Sequence, residues 1–306
     1  MHQGLKVVPL PLSTVTRTQP ANAALKDGRV APENFALEFE EVDPLIRAFR
    51  RMVRELEYDV CELAFTTYLC AKEHGTAFTA LPVFLVRQFH HGAILVNRDA
   101  GISDPKDLEG RRVGVNRGYT VTTGVWARGI LADEHGLDLD KVTWVLSGDE
   151  HVAEYRPPEN VVSLRDGEDL AELLVAGELA GVIGLELDHP HVVPLIPHAE
   201  EAGYVALRER GHYPINHLLV VRDELIAANP GLVPEVFAAF ERAKDMYVGG
   251  DDLLPVHRRV MEITGCDPLP YGVEPNLRVI DELVGHALTQ GILARKPDLE
   301  TLFASA

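Results

Sequence analysis

Between residues 35 and 86 a strand-like run, FALEFEEV, is followed by PLIRAFRRMVREL with apolar residues at helical spacing, and then by YDVCELAF and FTALPVFLV, two more apolar runs of strand length. Strand, helix and strand in that order fold as a βαβ unit, which commits the chain to a largely parallel sheet covered by helices. LKVVPLPL, upstream, supplies another strand to the same set.

A second set begins after Asn97. DLEGRRVGVN reads as a turn and strand, TVTTGVWARGILADEHG as a helix ending at Gly136, and KVTWVLS as a strand; DLAELLVAGELAGVIGLE reads as a helix, a glycine stop at Gly177 and a strand. After Pro214, INHLLVVRDEL is a strand, and in NPGLVPEVFAAFERAKDMYV Asn229 is expected to cap the next helix with Pro230 in its first position. EPNLRVIDELVGHALTQG is the final helix, stopping at Gly291. The expected fold is α/β with two lobes, the first from residues 1–95 and 216–306 and the second from residues 96–215. The strands around GAILVN and PINHLLVV would be the two hinge crossings, with a central cleft between the lobes. Apolar stripes on the carboxy-terminal helices leave a homo-oligomer open, but cover for the first lobe accounts for them more simply.

Composition then removes whole classes of function. A chain of 306 residues, 46% hydrophobic, can bury a large core in two domains. Its 47 acidic against 29 basic residues, a formal charge of −18, repel a polyphosphate backbone, so no nucleic-acid partner is expected. The first twenty residues lack the apolar core of a signal peptide, and no later run approaches the ~20 residues of a membrane span. A cytoplasmic protein without a membrane partner is therefore the expectation. Cys61, Cys70 and Cys266 lack metal-ligand spacing and read as core or surface residues rather than catalytic thiols. With no phosphate-binding glycine loop, nucleophile elbow or GxGxxG after a strand, kinase, hydrolase and nicotinamide-enzyme readings fall away.

Several residues suit an anion between the lobes. Arg87 ends an apolar strand, and its planar fork can hold both oxygens of a carboxylate; the competing reading is a structural ion pair. Thr66, Thr67 and Tyr68 open a helix whose first N–H groups are unspent, and Thr120, Thr122 and Thr123 offer the same from the opposing lobe, with Tyr119 able to stack on a ring. Ordinary helix capping competes there and can coexist. Glu62 is an acid in an otherwise apolar strand, where burial would raise its pKa towards proton transfer unless it serves as a partner for Arg87. Asp188-His189-Pro190-His191 sets two imidazoles two residues apart, and His90, His198 and His212 add further nitrogens. A divalent metal there is the alternative to a polar inter-lobe loop; the expected site holds no metal and no cofactor.

The succession ELAFTTYL, TALPVFLVRQFHHGAILVN, AGISDPKDLEGRRVGVN, VWARGIL, AGELAGVIG and YPINHLLVVRDEL resembles the 4,5-dihydroxyphthalate decarboxylase family, of the type 2 periplasmic-binding-protein fold. The resemblance runs from about residue 25 to 245, and VxxRxFxHxxIxVN and PIxHxxVxR are its more specific parts. It implies two lobes joined by two hinge strands, a small aromatic carboxylate between them, and a carboxy-lyase of aromatic catabolism that releases CO2 from a hydroxylated acid. His91 and His217 lie in the specific motifs and become the favoured acid/base pair, since imidazole exchanges a proton near neutral pH.

Where the family tends to carry a VPEYQMTAAVW-like segment, residues 115–126 read VNRGYTVTTGVW, losing an acidic position and gaining hydroxyls. The SSYL-like helix start is TTYL, and the RxFRH-like run is Arg87-Gln88-Phe89-His90-His91. The resemblance implies a 4,5-dihydroxyphthalate-like ligand, and these departures leave room for one that differs from dihydroxyphthalate itself. Its decarboxylation needs a carboxylate holder, a proton donor to the ring carbon and a group that polarises the phenol. The alternative class is a non-catalytic solute-binding protein for a small organic or aromatic anion, which the same cleft would serve.

Overall fold

A computed structural model describes residues 8–305. The chain opens with β1 (Leu10–Val15), α1 (Ala23–Lys26), β2 (Phe35–Phe39), α2 (Ile46–Glu55), β3 (Val60–Ala64), α3 (Phe65–Glu73) and the long β4 (Phe78–Arg87). A second group follows: β5 (Ile94–Asn97), β6 (Arg112–Val115), α4 (Thr122–His135), β7 (Thr143–Leu146), β8 (Val161–Ser163), α5 (Leu170–Val175), β9 (Gly181–Ile183), β10 (Val192–Pro194) and α6 (Ala199–Arg210). The chain returns through β11 (Ile215–Arg222) and ends in α7 (Asp223–Ala228), α8 (Leu232–Val248), α9 (Pro255–Thr264), α10 (Leu277–Thr289) and α11 (Leu299–Leu302). The strand expected at LKVVPLPL begins partly outside the described residues, and the observed β1 continues to Val15.

Two sheets result, in the orders β2-β1-β3-β11-β4 and β10-β5-β9-β6-β7-β8. They are mixed rather than largely parallel. β2, β1 and β3 are parallel, but β11 runs antiparallel to β3 and β4; likewise β6, β7, β8 and β9 are parallel, while β5 is antiparallel to β9. The antiparallel strands β5 and β11 are those reached from the other sheet. The strands around them end at the cleft, so a chain arriving there must run away from it. A βαβ pattern sees only connections within one sheet and cannot show this reversal.

Local rules account for the elements that frame the cleft. β3 is buried at every position, as the central strand of a sheet covered on both faces must be. α2 buries Ala48, Phe49, Met52 and Val53 along one face. α4 stops where Gly136 takes a left-handed conformation, φ 65°, as its sequence predicts. The start of α8 differs from expectation. It begins at Leu232 after Gly231, while Asn229 ends α7 and its side-chain amide donates back to the Leu225 carbonyl at 3.0 Å.

One apolar interior runs through both sheets, with Phe49, Leu63 and Phe84 from the first group continuous with Trp126 and Trp144 from the second. The fully buried Trp126 also donates its indole N–H to the Ile215 carbonyl at 3.0 Å, tying α4 to the start of β11. α10 packs against α4, and Gln290 just beyond it accepts from Arg128 Nε at 2.8 Å and donates to the Val125 carbonyl at 2.9 Å. Its apolar stripe therefore reaches the second sheet's own helix instead of covering only the first. Among the described residues no helix is long and apolar enough to cross a membrane.

Candidate active site

Three neighbouring strands assemble the centre of the site. Glu62 in β3 pairs with Leu219 of β11, which puts His217, two residues earlier, diagonally beside it on the same face. β1, on the other side of β3, ends at Val15 and delivers Arg17 to the same carboxylate. Glu62 accepts from the Arg17 backbone N–H at 2.9 Å, from Arg17 Nε at 2.9 Å and from His217 Nδ1 at 2.6 Å. A carboxylate so placed only accepts, so Nδ1 carries the imidazole proton and Nε2 is left to act on a ligand. The 3.2 Å approach of an Arg17 terminal nitrogen to the same Nδ1 is proximity alone.

Charge on this triad differs from the sequence expectation for Glu62. Burial does push its carboxyl upward, but the His217 hydrogen bond, the His217 and Arg17 charges and the Arg17 N–H outweigh it, and the net shift is down. Glu62 stays ionised. Burial also lowers His217 against the upward pull of Glu62, so the imidazole is neutral at rest.

His217 faces a cleft of about 570 Å³ bounded on one side by Arg17, Phe49, Thr67 and Gln88, and on the other by Arg117, Thr122, Thr123 and His151. Two helix starts point into it, α3 and α4; neither is capped by its own N-cap side chain, but at α3 the Thr66 N–H already donates to Thr122 Oγ1 at 3.1 Å. Thr67 Oγ1 is buried there without a hydrogen-bond partner among the described residues. Thr123 Oγ1 accepts from the Asn216 amide at 3.4 Å, and Asn216 Oδ1 lies 2.7 Å from His90 Nε2. Burial pushes His90 down to about 3, so it is a neutral donor that fixes the orientation of the amide. Arg117 adopts a left-handed backbone, φ 74°, which costs a non-glycine residue on the order of 1–3 kcal/mol. A Cβ on the next residue, Gly118, would sit 2.7 Å from a Glu150 carboxylate oxygen and push that carboxylate off the Tyr119 and Thr120 N–H groups it accepts from.

Of the residues expected from sequence, His217, Thr67, Thr122 and Thr123 line this cleft, with Glu62 directly behind His217. Thr66 is spent on the lobe contact: its hydroxyl donates to the Thr120 carbonyl at 2.5 Å and lies 2.9 Å from Thr122 Oγ1. Thr120 turns its hydroxyl to Glu150 at 2.6 Å, and Tyr119 stacks under the Arg128 guanidinium at 3.8 Å rather than facing a ligand. Tyr68 points into the core, bonded to the Leu302 carbonyl and the Ala80 N–H.

Arg87 is a correction. Val86 and Gln88 line the cleft, so strand alternation turns Arg87 to the other face, where it donates to the Tyr213 and Pro270 carbonyls and to Asn276. It faces away from the cleft and does not pair with Glu62. Burial lowers it to about 10, which leaves it charged at neutral pH. His91 is the second correction. Its Nε2 meets Glu134 at 3.1 Å, near the end of α4 and roughly 18 Å along the helix from the Thr122 start that lines the cleft. The remaining histidines diverge: His191 turns to Asp99 at 2.5 Å, His212 to Glu282 at 3.0 Å, and no cluster among the described residues gathers three metal-ligating side chains. Cys61 and Cys70 are buried and Cys266 is exposed, all as free thiols.

Arg17, Arg117 and His151 were not anticipated. The run TRTQP directly after β1 carried the same signal as TTYL, hydroxyls and a base at a strand's carboxyl end, and Arg17 was readable from it.

A 4,5-dihydroxyphthalate decarboxylase from Comamonas testosteroni is 31% identical over 88% of this chain and 91% of its own. The chain belongs to the 4,5-dihydroxyphthalate decarboxylase family. A protein of the same name from Pseudomonas putida is 35% identical over 48% of this chain and 62% of its own. A family model described as NMT1/THI5 like matches residues 58–156 of this family member. Among solved structures, the alkanesulfonate-binding protein SsuA from Xanthomonas axonopodis pv. citri bound to MOPS superposes with a TM-score of 0.54 at 15% identity, covering 97% of this chain and 99% of its own. A mutant of the desulfurization enzyme DSZB in complex with biphenyl-2-sulfinic acid gives 0.57 at 16%, covering 97% of each. At these identities the likeness establishes the two-lobed periplasmic-binding-protein fold.

Proposed function

We propose that this family member is a cofactor-independent decarboxylase of a small hydroxylated aromatic dicarboxylate of the 4,5-dihydroxyphthalate class. The observation that carries the reading is the buried Glu62 behind the cleft-facing His217, with the starts of α3 and α4 on the same cleft. Helix N–H groups, the Thr67 hydroxyl and Arg117 suit the substrate's carboxylates, so a chain with a strongly negative total charge still offers an anion a local positive site.

The chemistry needs one proton delivered to carbon. A hydroxyl para to the departing carboxylate pushes electron density onto the ring carbon that bears it, and that carbon takes the proton from Nε2 of His217 in its imidazolium form. The bond to the carboxylate then breaks, its electron pair restores the aromatic ring, and CO2 leaves. His217 regains its proton from water. Burial opposes the imidazolium, while Glu62 on one side and a bound dianion on the other favour it, so protonation is linked to substrate binding. Proton transfer of this kind contributes about 10²–10⁴-fold.

Purified protein incubated with 4,5-dihydroxyphthalate and related hydroxybenzoates should release CO2 in step with substrate loss. His217→Ala should abolish release by about that factor while substrate still binds. Wild-type turnover in the variant would reject the role of His217, and binding without CO2 from the unaltered protein would move the reading to a solute-binding protein.

A further inference from the structure

His151 is unused by the reaction as described, yet it is only 4% exposed and lines the same cleft as His217. Its Nδ1 is buried with no hydrogen-bond partner among the described residues. The backbone that carries it is held from both lobes. Arg54 on α2 donates to the His151 carbonyl at 3.0 Å and the Glu150 carbonyl at 2.8 Å, Arg50 meets Asp149 at 2.6 Å, and the Glu150 carboxylate accepts from the backbone N–H groups of Tyr119 and Thr120. A buried nitrogen left unbonded in so firmly placed a ring weakens the fold.

Phe49 separates the two histidines. Its ring meets His217 edge-on at 5.2 Å and His151 at 6.3 Å between centroids, so the imidazoles flank one flat apolar surface. Burial lowers both imidazoles, but their charged neighbours differ. Glu62 supports a positive charge on His217, whereas burial first, and then Arg50, Arg54 and Arg117, push His151 down to about 4 against Asp149 alone. Both rings are neutral at rest; Glu62 and a bound dianion favour protonation of His217, while His151, ringed by arginines, stays a neutral hydrogen-bond acceptor. A carboxylate would go to the arginines; a phenolic O–H is the donor that suits a neutral imidazole.

Resting on the decarboxylase reading above, we infer that His151 recognises the ring hydroxyl of the substrate by accepting its hydrogen bond across Phe49 from His217, and so selects hydroxylated over unhydroxylated aromatic carboxylates. The bond strengthens as the hydroxyl gives electron density to the ring, so it serves the transition state more than the ground state.

The test is calorimetric binding of 4,5-dihydroxyphthalate and of phthalate, in a His217→Ala background that prevents turnover. Adding His151→Leu should weaken dihydroxyphthalate about tenfold and leave phthalate within about twofold; His151→Gln, which keeps an acceptor, should restore most of the difference. Retained phthalate binding reports an intact cleft. Equal loss of both ligands, or loss of neither, overturns the inference while leaving the decarboxylase reading in place. If the unaltered protein binds neither ligand and releases no CO2, that reading fails and the inference falls with it.

Discussion

Glu62 Oε1 and His217 Nδ1 lie 2.6 Å apart, with the carboxylate entirely buried and the imidazole on the cleft wall. Such a pair orients the ring, sets its tautomer and supports its positive form from behind.

Replacing the charge but not the shape isolates that support. Glu62→Gln keeps an oxygen for Nδ1 to bond, so ligand affinity should change little while kcat falls about 10²-fold. Steady-state kinetics with parallel calorimetry checks this, and an unchanged kcat would mean that the charge on Glu62 is not used.

The adjacent threonines should respond in opposite ways. Thr66→Val removes a buried hydroxyl bonded to the Thr120 carbonyl and to Thr122, at a cost of about 1–2 kcal/mol by urea unfolding. Thr67→Val removes a buried hydroxyl with no partner among the described residues, so stability should hold or rise while ligand affinity drops about tenfold.

Two arginines give the converse contrast. Arg87→Met leaves two backbone carbonyls and Asn276 without their donor and should cost roughly 3 kcal/mol of stability, with the affinity of the folded protein unchanged. Arg117→Gln, at an exposed position on the cleft wall, should leave the urea midpoint in place and weaken the ligand about tenfold. A loss of affinity confined to Arg87→Met would return that residue to the site.

Acid should destabilise the protein well before its carboxylates titrate. Burial depresses His90 to about 3 and His151 to about 4, so below about pH 6.5 the unfolded chain binds protons that the native state refuses. Stability from both histidines is complete above that pH and declines as pH falls towards the folded values. At pH 5.5 each should cost on the order of 1 kcal/mol. Urea midpoints measured from pH 7.5 to 5 would reveal the slope, and a flat profile would contradict it. Glu62, also depressed, adds a further loss below its ordinary range near pH 4.5.

Periodicity found the elements that bury a continuous stripe, such as α2, and those closed by glycine, such as α4 at Gly136. It passed over α9, whose only fully buried residue is Val260, because a helix with one anchor has no stripe to read. Arg87 shows a different limit. Its position at a strand end was legible, but one residue decides which face a strand side chain takes, and only the neighbouring strands say which face is the cleft.

The amino-acid order alone was enough for the α/β class, the two groups of elements, the helix-start threonines and the candidacy of His217, because each is written in consecutive residues or a short motif. The triad was decided by the tertiary structure. Arg17 is 45 residues from Glu62, and Glu62 is 155 from His217; they meet because β11 returns antiparallel beside β3, with β1 on its other side. That same packing buries Glu62 against two cationic or protonated partners, so desolvation, the effect that local sequence suggests, is outweighed by contacts that no local pattern contains.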